Sequence, residues 1–516
     1  MSDAVCVCPL CEQCESVGTS SPGEVIAHVI TSSKAHRHVL VNGMLPSAPR
    51  SAISVLRHSR FLEHVGEIEK RLNAQKIIRD AAHTKSHQAR NQALLSLHCR
   101  HAGDAAGASK ALNSALEELS GVLPYRTIGS DDDHALSATA QQVAVVQIFD
   151  TFLATGALGG RPVPSFTRKV GEKAPREADE VATAESSSYS DEEWLGALMS
   201  SAHEIGRYAS NAAAAGDSAS VKVARSVVVA LQDRLLTFDF RNGPLRRSFD
   251  SVKYVVRRLE DTLYELSLFP PKDAATTSGS DGDPAPDAAT LVDAAALEEA
   301  RATYAALDAA REALIKRCRE PQKLSKQAIY ALHRGDLSGA AKQLDGARKL
   351  ADAILREDLG AYPSLRSQGT VRAMLEEFGE AVLFEAWLTG GAGQHEILPS
   401  DAAALLDGRL DASEYFGAVC DLVGEVGRYA VRKATERDAA EVGEALATAA
   451  AVQSAVLAMG TSAPRGLHKK LDGLRTSARK METLLYELSL VERSGRTREA
   501  PPDIPSDPAQ EPAAGE

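Results

Sequence analysis

The chain contains no uninterrupted apolar run of eighteen residues or more, so no membrane-spanning helix is expected. Aromatic residues are scarce, at 5% with only 2 Trp, while alanine and other helix formers dominate, which points to an all-helical protein. Excess positive charge is also absent. A formal net charge of −12 excludes a surface that binds nucleic acid over its whole extent, and any such contact has to be local and enclosed. Cysteine is too sparse and uneven for a disulfide framework, with 7 in 516 residues. Four of them, Cys6, Cys8, Cys11 and Cys14, form C-x-C-x2-C-x2-C, which could bind zinc with His28, His36 or His38 nearby. A structural zinc module brings two spaced ligand pairs joined by a folded segment, and this cluster does not, so it reads as an unstructured, reduced leader. The opening M-S-D-A-V-C-V-C-P-L-C has neither the basic start nor the apolar core of a secretory signal. The expected compartment is the cytoplasm, with the nucleus as a second.

What the sequence has in quantity is helical periodicity, and Leu375 to Leu388 is its most unusual stretch. Placed on a helix, Met374, Leu375, Phe378, Val382, Leu383, Phe384, Trp387 and Leu388 spread around the whole circumference, as in a helix buried inside a bundle. Glu377 and Glu380, three residues apart, share a face with Ala381, Phe384 and Leu388. They are therefore not the wet side. A second segment, Tyr415 to Ala430, collects Gly417, Asp421, Gly424, Glu425 and Arg428 on one narrow face, with small residues that let a backbone or ligand come close. Two helices of this kind are what a bundle uses to hold a divalent cation. Without one, ionised pairs about 5–6 Å apart repel by about 3 kcal/mol each at an effective dielectric of ~20. Protons or a metal have to settle that.

At 516 residues, two or more domains are expected. Residues 1–50 lack periodicity and read as a disordered leader. Helices are predicted for Ala52–His101, Ala105–Leu123, Ala138–Leu158, Glu192–Ala215, Ser218–Phe238 and Leu245–Leu268, with a Pro-, Ser- and Glu-rich insertion at 161–191. Pro, Gly, Ser and Asp mark a linker over 269–293. Helical pattern then resumes over Ala294–Arg334, Leu337–Leu359, Thr370–Leu388, Ala402–Leu405, Ala412–Arg437, Ala439–Met459 and Leu467–Val491, and 493–516 is a disordered tail.

The two halves repeat one another. D-T-L-Y-E-L-S-L ending at Leu268 recurs as T-L-L-Y-E-L-S-L ending at Leu490, and L-R-R-S-F-D from Leu245 recurs as L-H-K-K-L-D from Leu467. A-L-L-S-L-H at Ala93–His98 answers A-I-Y-A-L-H at Ala328–His333, and E-I-G-R-Y-A at Glu204 answers E-V-G-R-Y-A at Glu425. Order and most spacings are kept, which describes two tandem bundles of six to seven helices each, at 51–268 and 294–492. On this matching His98 and His333 occupy equivalent places, where packing or capping is the expected role.

These residues resemble the translin family in both halves. G-P-L-R-R-S-F-D-S-V-K-Y-V-V-R-R-L-E-D-T-L-Y-E-L-S-L is similar to the last helix of translin. L-E-E-F-G-E-A-V-L-F with E-Y-F-G-A-V-C-D-L-V-G-E is similar to translin-associated factor X, the family's endonuclease subunit. The resemblance implies two translin-like helical bundles. It also implies assembly into a hollow shell, four chains standing for the family's eight subunits, with separate translin-like subunits as further partners. The implied activity is endoribonuclease cleavage of small or single-stranded RNA with Mg2+, or Mn2+ in its place, held by Glu377, Glu380, Asp421 and Glu425. In the first half Gln142 and Val145 stand opposite Glu377 and Glu380, Ser200 stands opposite Asp421, and only Glu204 survives, so that half reads as a non-catalytic, RNA-binding partner.

Other readings stay beside this one. Glu425 with Arg428, like Glu204 with Arg207, could be a structural ion pair, and Arg428 could instead steady a phosphate. Lys316, Arg317, Arg319, Lys323 and Lys326, with Arg334 beyond, could track an RNA backbone or simply form a soluble helix face. The same holds for Lys76, Arg79, Lys85, Arg90 and Arg100. A scaffold that binds RNA or single-stranded DNA, with the acids as remnants, is the alternative function. A di-iron bundle would need an E-x-x-H pair, which the acidic helices lack.

Overall fold

The computed structural model describes residues 58–123, 133–162, 188–268, 288–390, 395–397, 405, 408–464 and 466–494. The predicted leader with its cysteine cluster, the body of the insertion, most of the linker, nearly all of the short helix at Ala402–Leu405 and the end of the tail lie outside these residues. The described residues are helical, with no strand among them.

In the first copy the helices are α1 (Ser59–His101), α2 (Ala105–Ser120), α3 (Asp133–Thr155), α4 (Asp191–Ala214), α5 (Ser218–Leu235) and α6 (Pro244–Leu268). In the second they are α7 (Ala294–Arg317), α8 (Arg319–His333), α9 (Leu337–Ala353), α10 (Gly369–Thr389), α11 (Ala412–Thr435), α12 (Ala439–Ala458) and α13 (Leu467–Arg493). Their starts are written in the sequence. Ser190 with Glu193 and Asp411 with Glu414 are matched capping boxes at the heads of α4 and α11. Asp217 and Asp438 cap α5 and α12, each accepting from the backbone N–H three residues on. Gly103 (φ 80°) and Gly335 (φ 77°) take the left-handed conformation that ends α1 and α8. Asp104 and Asp336 then cap the next helices, each accepting 2.8 Å from the N–H of Gly107 or Gly339.

One predicted helix is broken. The stretch Ala294–Arg334 divides at Cys318, because Pro321 has no N–H for the Arg317 carbonyl and its ring crowds that carbonyl. The stretch Ala288–Leu291, within the predicted linker, forms a helical turn, and Leu291 and Val292 are buried.

The described chain packs as two compact units, one formed by Lys70–Ser325 with Asp345–Leu375, the other by residues up to Glu69 with Lys326–Leu344 and the chain from Glu376 on. The first has a core of Phe149, Phe152, Trp194, Leu195, Leu231 and Val252, to which α7 adds Leu297, Ala300 and Tyr304. In the second, Phe384, Trp387, Tyr415, Phe416, Val452 and Leu474 are buried together with Phe61 at the start of α1, whose neighbour His64 meets the Tyr415 ring edge-on at 6.2 Å.

Candidate acidic site on α10 and α11

Helix α10 is buried as its composition predicts: between Met374 and Leu388 no residue is exposed. A glycine sets its distance from α11. A Cβ on Gly379 would stand 2.9 Å from Ala418 Cβ and from Leu410 Cδ2, so Gly379 is a point of direct helix packing. One turn away a Cβ on Gly417 would lie 2.6 Å from the Glu376 carboxylate. The close approach that small residues on α11 allow is thus taken up by an acid of α10.

The four predicted acids share one electrostatic environment. Burial first, then the charges of Asp421, Glu377 and Glu425, push the Glu380 carboxyl up to about 8, against a smaller opposing pull from Lys470. Glu377 is also raised, chiefly by burial, with Lys326 opposing and Asp421 and Glu425 adding. Three of the four are engaged by nitrogen groups. Asp421 Oδ2 accepts from Lys470 Nζ at 2.7 Å, Glu377 Oε2 lies 3.6 Å from Lys326 Nζ, and Glu425 Oε2 lies 2.5 Å from His333 Nε2. Among the described residues no three His, Cys, Asp or Glu side chains are gathered as a metal-holding group. The donors fit a hard divalent cation in kind, being carboxylate oxygens from two packed helices, and gathering them requires Asp421 and Glu377 to turn from their lysines.

Sequence reading missed Lys470 and Glu376, and gave His333 a packing or capping role without its partner Glu425. Lys470, on α13, also donates to Glu376 Oε2 at 3.0 Å and to the Gly417 carbonyl at 3.1 Å. The signal was present in the aligned L-R-R-S-F-D and L-H-K-K-L-D, which set Ser248 opposite Lys470, as Gln141 stands opposite Glu376. In the first copy a Cβ on Gly196 would meet Gln141 Oε1 at 2.7 Å, and Gln141 Nε2 lies 3.4 Å from Ser200 Oγ. The geometry is that of the second copy with Glu376, Glu377, Glu380, Asp421 and Lys470 replaced by uncharged residues.

The matching of His98 with His333 is corrected. His101 Nε2 lies 2.7 Å from Glu204 Oε2 with its ring 5.1 Å from Phe149, just as His333 pairs with Glu425 with its ring 4.8 Å from Phe384. H-A-G-D and H-R-G-D are therefore the equivalent segments, three residues later than the apolar pattern indicates. Because the histidine–glutamate pair survives where the other acids are gone, it belongs to the scaffold. Arg428 reaches Glu425 only at 3.8 Å, from an exposed position.

The predicted basic track is largely tied up in carboxylates. Arg317 pairs with Glu357 at 3.0 Å and Asp358 at 2.7 Å, Lys323 lies 3.5 Å from Glu320, and Lys326 faces Glu377. Lys316 and Arg319 are exposed. In the first copy Arg100 holds both oxygens of Asp150, at 2.6 and 2.7 Å, a structural pair.

The translin family model matches residues 67–268 and 309–492. The chain belongs to the translin family. Both copies match it, in agreement with the tandem repeat. Among curated proteins, Translin of Gallus gallus is 29% identical over 77 residues, 15% of this chain and 34% of that protein. The chain thus spans about a third of that relative's length. Among solved structures, AfC3PO is 24% identical, over 38% of this chain and 98% of its own, at a TM-score of 0.32. The apo-NeC3PO structure is 21% identical, over 40% and 100%, at 0.33. The AfC3PO–duplex RNA complex is 25% identical, over 39% and 99%, at 0.33.

Proposed function

We propose that this translin-family chain binds RNA and that its second copy is a divalent-cation-dependent endoribonuclease. The observation behind this reading is the contrast between the copies. One polar geometry is charged with Glu376, Glu377, Glu380, Asp421 and Lys470 in the second and neutral, with Gln141, Gln142, Val145, Ser200 and Ser248, in the first. A purely structural site has no need for a carboxyl that burial, with the charges of Asp421, Glu377 and Glu425 added, holds up to about 8. Glu377, Glu380 and Asp421 would hold Mg2+ or Mn2+, with Glu425 beside them on its histidine. The bound cation would supply a water of lowered pKa and steady charge on the cleaved phosphate. The chain's own acids would orient that water. The first copy, lacking acids that repel phosphate, serves as RNA-binding partner, and four chains would supply eight bundles to a closed shell.

The test is cleavage of labelled single-stranded RNA by the purified full chain. Cutting with Mg2+ or Mn2+, abolished by chelator and by Glu380→Ala, is expected. Full cleavage by the Glu380→Ala protein, with contaminating nuclease excluded, would falsify the assignment. The engagement of three acids by Lys470, Lys326 and His333 favours a second reading, a scaffold without activity. Its outcome would be RNA retention with no cutting in either condition.

A further inference from the structure

We propose that Lys470 is the resident cation of the acidic site. It holds Asp421 and Glu376 in place and competes with a divalent cation for Asp421, until an RNA phosphate takes over its ammonium group. This rests on the reading above and adds a positioning residue to it.

An ammonium group has three protons, and each proton of Lys470 has an acceptor: Asp421 Oδ2 at 2.7 Å, Glu376 Oε2 at 3.0 Å and the Gly417 carbonyl at 3.1 Å. The side chain is 29% exposed, so its charge has been drawn out of water and bound across three helices. A freely solvated surface lysine does not look like this; Lys326, 62% exposed and 3.6 Å from Glu377, is the comparison. The lysine is also selective. Ser248 replaces it in the copy where Gln141, Gln142, Val145 and Ser200 stand in place of Glu376, Glu377, Glu380 and Asp421, so the cation and these four acids are present together or absent together.

The place it occupies has a chemical meaning. Asp421 gives Lys470 an oxygen that a dication would need, and both cannot use it at full strength. Loading the site with metal therefore displaces the ammonium, which on its flexible stem becomes a point charge for a phosphate oxygen. Metal and RNA then favour one another: the metal frees the lysine for phosphate, and phosphate keeps the lysine off Asp421. Such coupling is reciprocal, and removing the lysine removes it.

The test is Mn2+ binding to the full chain, followed by the electron paramagnetic resonance of free Mn2+, with and without a 2′-deoxy-substituted, uncleavable oligonucleotide. In the natural protein, Mn2+ affinity is expected to rise when the oligonucleotide is added. Lys470→Met should bind Mn2+ alone about 10-fold more tightly and lose the oligonucleotide effect, while Lys470→Arg, which keeps the charge, should bind as the natural protein does. Glu380→Gln reports whether the signal comes from this site, and thermal melts of the variants report folding. Equal Mn2+ affinity in folded Lys470→Met and natural protein, with both signals lost in Glu380→Gln, overturns the role of Lys470 and leaves the metal reading intact. Binding by neither overturns both.

Discussion

Glu380 concentrates the electrostatics of the site in one carboxyl. Burial is the main cause of its rise to about 8, and Asp421, Glu377 and Glu425 add to it, so without metal it holds its proton at neutral pH. The sign of the consequence follows from linkage. Below the ordinary carboxylate range the group is protonated whether the chain is folded or not. Between that range and about 8 the unfolded chain ionises it and the folded chain does not, so stability falls as pH rises. Above that window the loss is complete. Glu380→Gln mimics the protonated form. In chelator, the variant should match the natural protein near pH 4 and exceed it near pH 8, by on the order of a few kcal/mol. Chemical denaturation across that range measures the difference, and parallel stability curves would remove the claim that Glu380 is strained. The aligned sequences show which copy has this acid. That its neighbours oppose its ionisation is a property of folded proximity.

At the scale of helices, most of what is observed follows from short-range rules. Ser190-x-x-Glu193 and Asp411-x-x-Glu414 announce the starts of α4 and α11, and the H-x-G-D segments close α1 and α8 because glycine alone takes positive φ cheaply. Pro321 breaks the predicted Ala294–Arg334 helix through one missing donor, a local rule the apolar periodicity overrides when read alone. Helix contact is a different matter. A glycine in a helix interior lowers helix propensity, and only the packing around Gly379, where a Cβ would stand 2.9 Å from Ala418 Cβ and Leu410 Cδ2, makes it a requirement. Gly379→Ala gains helix propensity but forces α10 from α11, with an expected net destabilisation of roughly 1–3 kcal/mol. It should also weaken Mn2+ binding, since both helices supply acids. A stability equal to or above that of the natural protein in denaturant titration would mean that the helices are not held at this point.

For the whole chain, repetition in sequence and compactness in space divide the molecule differently. One unit combines α7 of the second copy with first-copy helices, and Arg241 is ion-paired to both Asp308 and Glu312. The other takes Phe61, Val65 and Ile68 of the first copy, each at most 3% exposed, with Thr448 3.4 Å from His58. Each unit is therefore completed by a helix from the opposite copy. A fragment of residues 294–492 lacks that apolar cover and is expected to be poorly soluble and to melt without cooperativity, whereas residues 58–494 fold. Circular dichroism and size-exclusion chromatography decide it, and a sharp melt for the fragment would show the second copy to be self-sufficient.

The sequence by itself determined the helical class, the duplication, the family and the acid-bearing faces of α10 and α11, because periodicity, caps and aligned motifs are encoded over short stretches. Only the tertiary structure decided that Lys470 stands among those acids, that His101 rather than His98 answers His333, and that the copies exchange helices. Those facts depend on which distant side chains meet. Lys470 and Asp421 are 49 residues apart, a separation no local pattern spans.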